Sequence, residues 1–101
     1  MTNAGTKPFD RVLRGNIVTP SGTIEEGWLG VRDGCIAAIG DGAAPDAGAI
    51  HDHGDAWLLP GGIDGQVHAC SWRGYDGMES TTRSAIAGGV TTIVDLSLIH
   101  I

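Results

Sequence analysis

The strongest constraint on the fold comes from residues 58–95, where two apolar runs flank a predicted helix. The first run leads into a polar cluster, Asp64-x-Gln66-x-His68, and the second follows the glycine pair Gly88-Gly89. A strand, a crossing helix and a second strand in this order predict a parallel βαβ unit. Because side chains at the carboxyl ends of parallel strands gather on one face, the polar cluster is expected at a functional edge.

Turn and helix signals set the expected bounds within this block. The sequence predicts a first strand over residues 63–69, a helix over 78–87 and a second strand over 90–96. Asp76 precedes Glu79 by three residues, which is the spacing of a capping box, and the glycines after the helix supply the left-handed conformation that ends it. The second strand lacks alternation, which predicts burial on both of its faces.

The first half of the chain has the pattern of short strands joined by tight turns. Asp33-Gly34 predicts a hairpin because both turn positions need positive φ, and Gly15-Asn16 predicts a second two-residue turn. Ile36 and Ala38 alternate with other residues and are therefore expected on one buried face. Strands are predicted at residues 9–13, 17–19, 28–32, 35–39, 49–50 and 57–58.

Composition limits the size of the fold and its partners. With 101 residues, the chain is too short for a closed eight-stranded barrel of roughly 250 residues. Its net charge of −6 and lack of a basic run argue against nucleic acid or a membrane surface as a partner. Residues 1–8 lack the apolar core of a signal peptide, no run reaches membrane-spanning length, and two cysteines do not form a disulfide framework. These features predict a soluble, cytoplasmic protein.

Two segments give the chain a family resemblance. Leu-Pro-Gly-Gly-Ile-Asp at residues 59–64 and Ala-Gly-Gly-Val-Thr-Thr at 87–92 resemble the opening of the cyclic amidohydrolases, which include dihydroorotase, allantoinase and dihydropyrimidinase. The resemblance implies an α/β fold in which residues 1–59 form an N-terminal β-sandwich segment. Residues 60–101 would then be the first β-α-β unit of a (β/α)8 TIM-type barrel, truncated after that unit. Residues 97–101 depart from the family and resemble translated adapter sequence, so they are expected to be artefactual.

The same resemblance implies a metal-dependent hydrolase of C–N bonds in cyclic amides. The expected cofactor is a divalent metal, zinc by preference, the expected substrate is a small cyclic amide or ureide, and the full-length protein is expected to be a homo-oligomer. The family's other ligands, a carboxylated lysine, two histidines and an aspartate, come from later strands. No catalytic residue is therefore expected within this fragment, which we predict to be inactive alone.

The family's first strand carries Asp-x-His-x-His, and this chain departs from it because Gln66 replaces the first histidine. His68 is the expected metal ligand, with a hydrogen-bonded core histidine as the structural alternative. Gln66 is a weaker and harder ligand, expected to hydrogen-bond within the site. Asp64 is expected on the same face, where it either orients a ligand or closes the turn before it. Asp95, at the end of the second strand, is expected to make a structural hydrogen bond.

Cys70 stands where many dihydroorotases carry an arginine that binds the substrate carboxylate. A thiol cannot make that bidentate charged contact, which argues against dihydroorotate and leaves Cys70 as a candidate substrate contact of another kind. His51-Asp52-His53 repeats the i, i+2 histidine spacing but precedes the barrel-like segment, and it is predicted to be a solvated turn.

Two alternatives to an enzyme remain open at the level of sequence. A catalytically silent relative that serves as a scaffold or assembly subunit is favoured by Gln66, since one ligand is already missing. A free-standing β module that binds a partner is disfavoured by the barrel-like second half. The ligands on later strands would separate the enzyme from the scaffold.

Overall fold

The computed structural model describes residues 7–71 and 74–96 and divides into two compact units, Met1–Leu59 and Pro60–Ile101. Most of the described secondary structure is β-strand, with one helix among the described residues. The first unit contains β1 (Phe9–Thr19), β2 (Gly22–Arg32), β3 (Cys35–Asp41) and β4 (Ala47–Leu58), and the second contains β5 (Gly62–Val67), α1 (Asp76–Ala87) and β6 (Val90–Asp95).

The four strands of the first unit form one sheet in the order β3-β2-β1-β4. β1 pairs antiparallel with β2 and parallel with β4. The predicted turn at Gly15-Asn16 is wrong, because β1 runs through it as one strand with an irregularity in both ladders. The Asn16 side chain holds this irregularity. Its amide donates to the Asp55 carbonyl at 3.0 Å, and its oxygen accepts from the Glu26 backbone N–H at 3.0 Å.

The predicted hairpin between β2 and β3 is confirmed. Asp33 and Gly34 have φ of 54° and 76°, the conformation that a two-residue turn of this kind requires. The expectation that Ile36 and Ala38 share a face is wrong, since they pair with the adjacent residues Val31 and Gly30. One extra residue in β3 at this point forms a bulge and reverses the alternation.

Phe9, Val12 and Ala47 form the buried core of the first unit, and Trp28 packs against it. The Phe9 and Trp28 rings lie 5.9 Å apart between centroids, a distance typical of favourable aromatic pairs. Gly30 leaves room for the Phe9 ring, because a Cβ there would lie 2.7 Å from ring carbons. The core therefore depends on an aromatic side chain that occupies the space over a glycine.

Residues 49–50 and 57–58, predicted as separate strands, belong to the single strand β4. Its pairing with β1 shifts after Asp52, whose carboxylate accepts from the Gly54 backbone N–H at 2.8 Å. Gly54 has φ of 62°, so the chain bends locally without ending the strand. His51 and His53 therefore lie in an exposed strand, and the prediction of a turn at these residues is wrong.

In the second unit, β5 and β6 pair in parallel and α1 connects them, which confirms the predicted order of elements. The predicted capping box is wrong. The helix already includes Asp76, and Tyr75 caps it without a side-chain hydrogen bond. At the other end, the N–H groups of Gly88 and Gly89 bond to carbonyls of the last turn, and Gly89 has φ of 84°. A glycine in the left-handed conformation therefore ends the helix, as predicted.

The expected burial of both faces of β6 is wrong for this chain. Val94 is 47% exposed, and on the neighbouring strand Ile63 is 74% exposed. A strand that is apolar throughout needs covering layers on both faces, and the described residues do not supply them. In the described part of the chain, no helix has the length and apolarity needed to cross a membrane.

Candidate functional site

Polar residues lie where β5 and β6 end, at the same edge of the parallel pair. His68 directly follows the last residue of β5, and Asp95 is the last residue of β6. The two ends are held together because Val67 pairs with Asp95 and the Leu96 backbone N–H donates to the Val67 carbonyl at 2.7 Å. The structure therefore brings His68 and Asp95 to one edge, where parallel sheets commonly bind ligands.

Asp64 shapes the backbone just before this edge. Its carboxylate accepts from the Gln66 backbone N–H at 3.1 Å. The ladder pairs Asp64 with Ile93 and then Val67 with Asp95, so β5 carries one extra residue between these pairs. Because a bulge interrupts side-chain alternation, strand periodicity alone does not place Asp64 on the same face as Gln66 and His68. The observed role of Asp64 is to hold the backbone at Gln66.

His68 is exposed, and β5 ends at Val67, one residue before it. This exposure does not match the alternative of a buried core histidine. Its Nδ1 lies 3.4 Å from the hydroxyl oxygen of Ser71, a long contact within the turn that follows the strand. Ser71 was not identified from the sequence. The available signal was a hydroxyl residue three positions after the histidine.

Cys70 is buried, with 3% of its surface exposed, and it follows Ala69, which is 6% exposed. The sequence suggested Cys70 as a substrate contact, whereas the structure places the residue away from solvent while His68 two positions earlier is exposed. Burial favours a packing role for this thiol, which behaves as a small apolar group.

A divalent metal needs several nitrogen, oxygen or sulfur donors that converge on one point. Within residues 7–71 and 74–96, no group of three or more His, Cys, Asp or Glu side chains is arranged to hold a metal ion. His68 offers an imidazole and Gln66 an amide oxygen at the strand end, so these residues fit as part of a ligand set. His51 lies in the other unit, with its Nε2 3.3 Å from an Arg11 guanidinium nitrogen.

A groove of about 480 Å³ lies between α1 and β6. Its lining consists of Glu79, Thr82, Arg83, Ala85, Ile86, Val90, Thr91 and Ile93. Arg83 and Glu79 form an exposed i, i+4 ion pair across one helical turn at 2.7 Å. The lining contains neither His68 nor Asp95, so this groove is separate from the polar strand edge.

Comparison with known proteins gives the chain its relatives. No family model matches it. It is 35% identical to an allantoinase from Bacillus licheniformis and 39% identical to a D-hydantoinase from Rhizobium radiobacter, over 89% and 83% of its length. Among solved structures, a D-aminoacylase superposes with a TM-score of 0.73 and 31% identity over 93% of the chain. The chain belongs to the cyclic amidohydrolase family.

This cyclic amidohydrolase chain spans about a fifth of the length of the curated relatives it matches, 21% of the allantoinase and 19% of the D-hydantoinase. It likewise covers 20% of the D-aminoacylase, a protein described as having a binuclear metal centre. Most of each relative therefore lies outside the matched region. The family resemblance found in residues 59–64 and 87–92 is confirmed.

Proposed function

We propose that this chain is part of a metal-dependent hydrolase that cleaves C–N bonds in cyclic amides or ureides, as in allantoinases and hydantoinases. The observation that carries the proposal is the shared edge of the second unit. His68 and Asp95 follow two parallel strands that are held in register there. Barrel enzymes have their active sites at the carboxyl ends of their strands, and the 39% identity to a D-hydantoinase supports the assignment of this edge to such a site.

The second unit, residues 60–101, is proposed to be the first β-α-β unit of a (β/α)8 barrel, and residues 1–59 a β-sandwich segment. Two observations support this assignment. β5 and β6 are parallel with a helix between them, and their apolar residues are left exposed. Ile63, at 74% exposure, is a residue that further strands and helices of a barrel would cover.

Within such a barrel His68 would hold a divalent metal, which we propose to be zinc. The metal, when bound, lowers the pKa of a water molecule and polarises the amide carbonyl. The residues of this chain position the ligand. The Ser71 hydroxyl contacts Nδ1 of His68, and the Asp64 carboxylate fixes the backbone that leads to it. An outer partner of this kind orients a metal-bound histidine.

The described residues offer one imidazole at the edge, which is too few donors for a zinc centre. We therefore propose that the chain alone is inactive and that the remaining ligands lie in parts of the fold outside it. The proposed substrate is an allantoin-like or hydantoin-like ring. Cys70 cannot supply the charged bidentate contact that a dihydroorotate carboxylate would need. A cytoplasmic homo-oligomer is proposed for the whole enzyme.

A chimera tests this function. The matched fifth of the D-hydantoinase from Rhizobium radiobacter is replaced by the corresponding residues of this chain. Hydantoin hydrolysis and bound metal per chain are then measured. The expected result is a folded chimera that retains bound metal and measurable hydrolysis, both reduced by His68→Ala. A folded chimera whose metal content and rate do not respond to His68→Ala would contradict the proposal.

A second candidate is a catalytically silent scaffold or assembly subunit, and Gln66 is the observation that favours it. The effect of Gln66→His on hydrolysis by the chimera separates the enzyme from the scaffold. If the chimera binds substrate analogues and metal but hydrolyses nothing, even with Gln66→His, the scaffold is the better description. If Gln66→His raises the rate, the strand retains the arrangement of an enzyme.

A further inference from the structure

Gln66 and His68 lie two residues apart at the end of β5. They flank Val67, which pairs with Asp95 in the ladder. Gln66 and His68 are both exposed, whereas Val67 between them is half-buried. This pattern agrees with the alternation of side chains along an extended chain, in which residues two apart lie on the same side. This is the spacing at which two side chains can bind one ion.

The two positions differ in the donors they present. His68 has an aromatic nitrogen, which suits Zn²⁺, Ni²⁺ and Co²⁺, whereas Gln66 has a neutral amide oxygen, which suits harder ions. The Gln66 backbone N–H is already bound to the Asp64 carboxylate at 3.1 Å, so the backbone at this position is held in place. A different side chain at position 66 would therefore start from the same fixed backbone.

We infer that Gln66 sets the metal preference of this strand end by leaving it with a single imidazole. It makes the site weaker for late transition metals than a strand with imidazoles at both positions would be. The inference rests on the proposed function for its biological meaning, since it implies that one metal position of the enzyme is weakened. The effect of residues 66 and 68 on metal affinity can be measured whether or not that function is correct.

The size of the effect follows from chelation. A second imidazole on the same strand binds an ion that the first already holds, so the second contact is intramolecular. Linked contacts of this kind raise affinity by roughly 100-fold or more where geometry allows both to bind. The bulge between Asp64 and Val67, which spans position 66, makes the geometry less than ideal. We therefore expect Gln66→His to raise Ni²⁺ affinity by about tenfold to 100-fold.

Another histidine pair in the chain must be removed before this is measured. His51 and His53 are exposed on β4, also two residues apart, although Arg11 lies 3.3 Å from the His51 Nε2. His100 lies outside the described residues. The experiment therefore uses a background with alanine at 51, 53 and 100. Of the four histidines of the chain, only His68 remains in that background.

In this background four proteins are compared: the parent, Gln66→His, His68→Ala and the double variant Gln66→His/His68→Ala. Ni²⁺ affinity is measured by competition with a chromophoric chelator, and folding is checked by circular dichroism. The Co²⁺ absorption spectrum reports whether a thiolate such as Cys70 joins the ligands. The expected gain appears in Gln66→His alone, without a thiolate-to-metal band. The double variant has one imidazole and is expected to match the parent.

Several outcomes would overturn the inference. One is a parent that binds Ni²⁺ as tightly as Gln66→His, and another is a double variant that retains the whole gain. If any variant aggregates, the same substitutions at positions 66 and 68 in the D-hydantoinase chimera provide the second measurement, with bound metal per chain as the readout. A chimera that gains metal with Gln66→His but hydrolyses no hydantoin supports the inference and counts against the proposed function. A chimera that hydrolyses hydantoin but gains no metal with Gln66→His contradicts the inference and supports the proposed function.

Discussion

Replacing Gly30 with alanine tests the packing that holds the first unit together. Gly30 is buried, and a Cβ there would lie 2.7 Å from two carbons of the Phe9 ring, closer than real contacts allow. The ring has little room to move, since Trp28 lies 5.9 Å away between centroids and the Arg32 guanidinium 5.2 Å from the ring centroid. Overpacking of this kind destabilises by about 1–3 kcal/mol. For a domain of this size, the melting temperature falls roughly 4–8 °C for each kcal/mol.

The free energy of unfolding is measured by urea titration with tryptophan fluorescence and far-UV circular dichroism. Phe9→Leu supplies the matched test, because a smaller side chain leaves space for the new methyl group. Gly30→Ala should therefore cost less in the Phe9→Leu background, with a coupling of about 1 kcal/mol. Gly65→Ala, where no atom lies within 4 Å of a Cβ, is the control for adding a methyl group to a strand glycine. Equal stability of Gly30→Ala and the parent, or no coupling to Phe9→Leu, would refute the packing argument.

Three further predictions concern local contacts. Asn16→Ala removes two hydrogen bonds to backbone groups and should reduce the free energy of unfolding by about 1–3 kcal/mol, measured by urea titration. Gly34→Ala forces a side chain into φ of 76° and should cost about 1–2 kcal/mol, with faster amide exchange in the hairpin. Lys7, by its hydrogen bond and then its charge, lowers the pKa of Asp46. The lowered pKa means that this contact stabilises the fold above the ordinary pKa of the carboxyl and is lost as pH falls through the lowered one. The free energy of unfolding of Lys7→Ala should therefore be lower than that of the parent at pH 7, and the two values should converge in acid.

The metal preference inferred for the strand end gives the family resemblance a specific consequence. If this strand end holds a metal in the whole protein, as proposed, Gln66 leaves it with one imidazole from this strand, that of His68.

Several features of the fold could be predicted from local sequence because their physical cause is local. Asp33-Gly34 specifies a hairpin since few other residue pairs adopt two positive φ angles, and the glycines after α1 end the helix for the same reason. The order strand, helix, strand follows from the apolar runs and predicts the parallel pair. The segments at residues 59–64 and 87–92, and His68 as an expected ligand, were identified by their resemblance to cyclic amidohydrolase motifs.

Other features were decided only by tertiary contacts. Gly15-Asn16 has the composition of a turn, yet pairing on both sides keeps β1 extended, and the Asn16 side chain bonds to two other segments. The bulge between Asp64 and Val67 arises from pairing with β6, and it changes which side chains share a face. Local sequence specifies conformations that one or two residues can enforce. Strand pairing and register depend on partners distant in sequence, and only the folded chain brings those partners together.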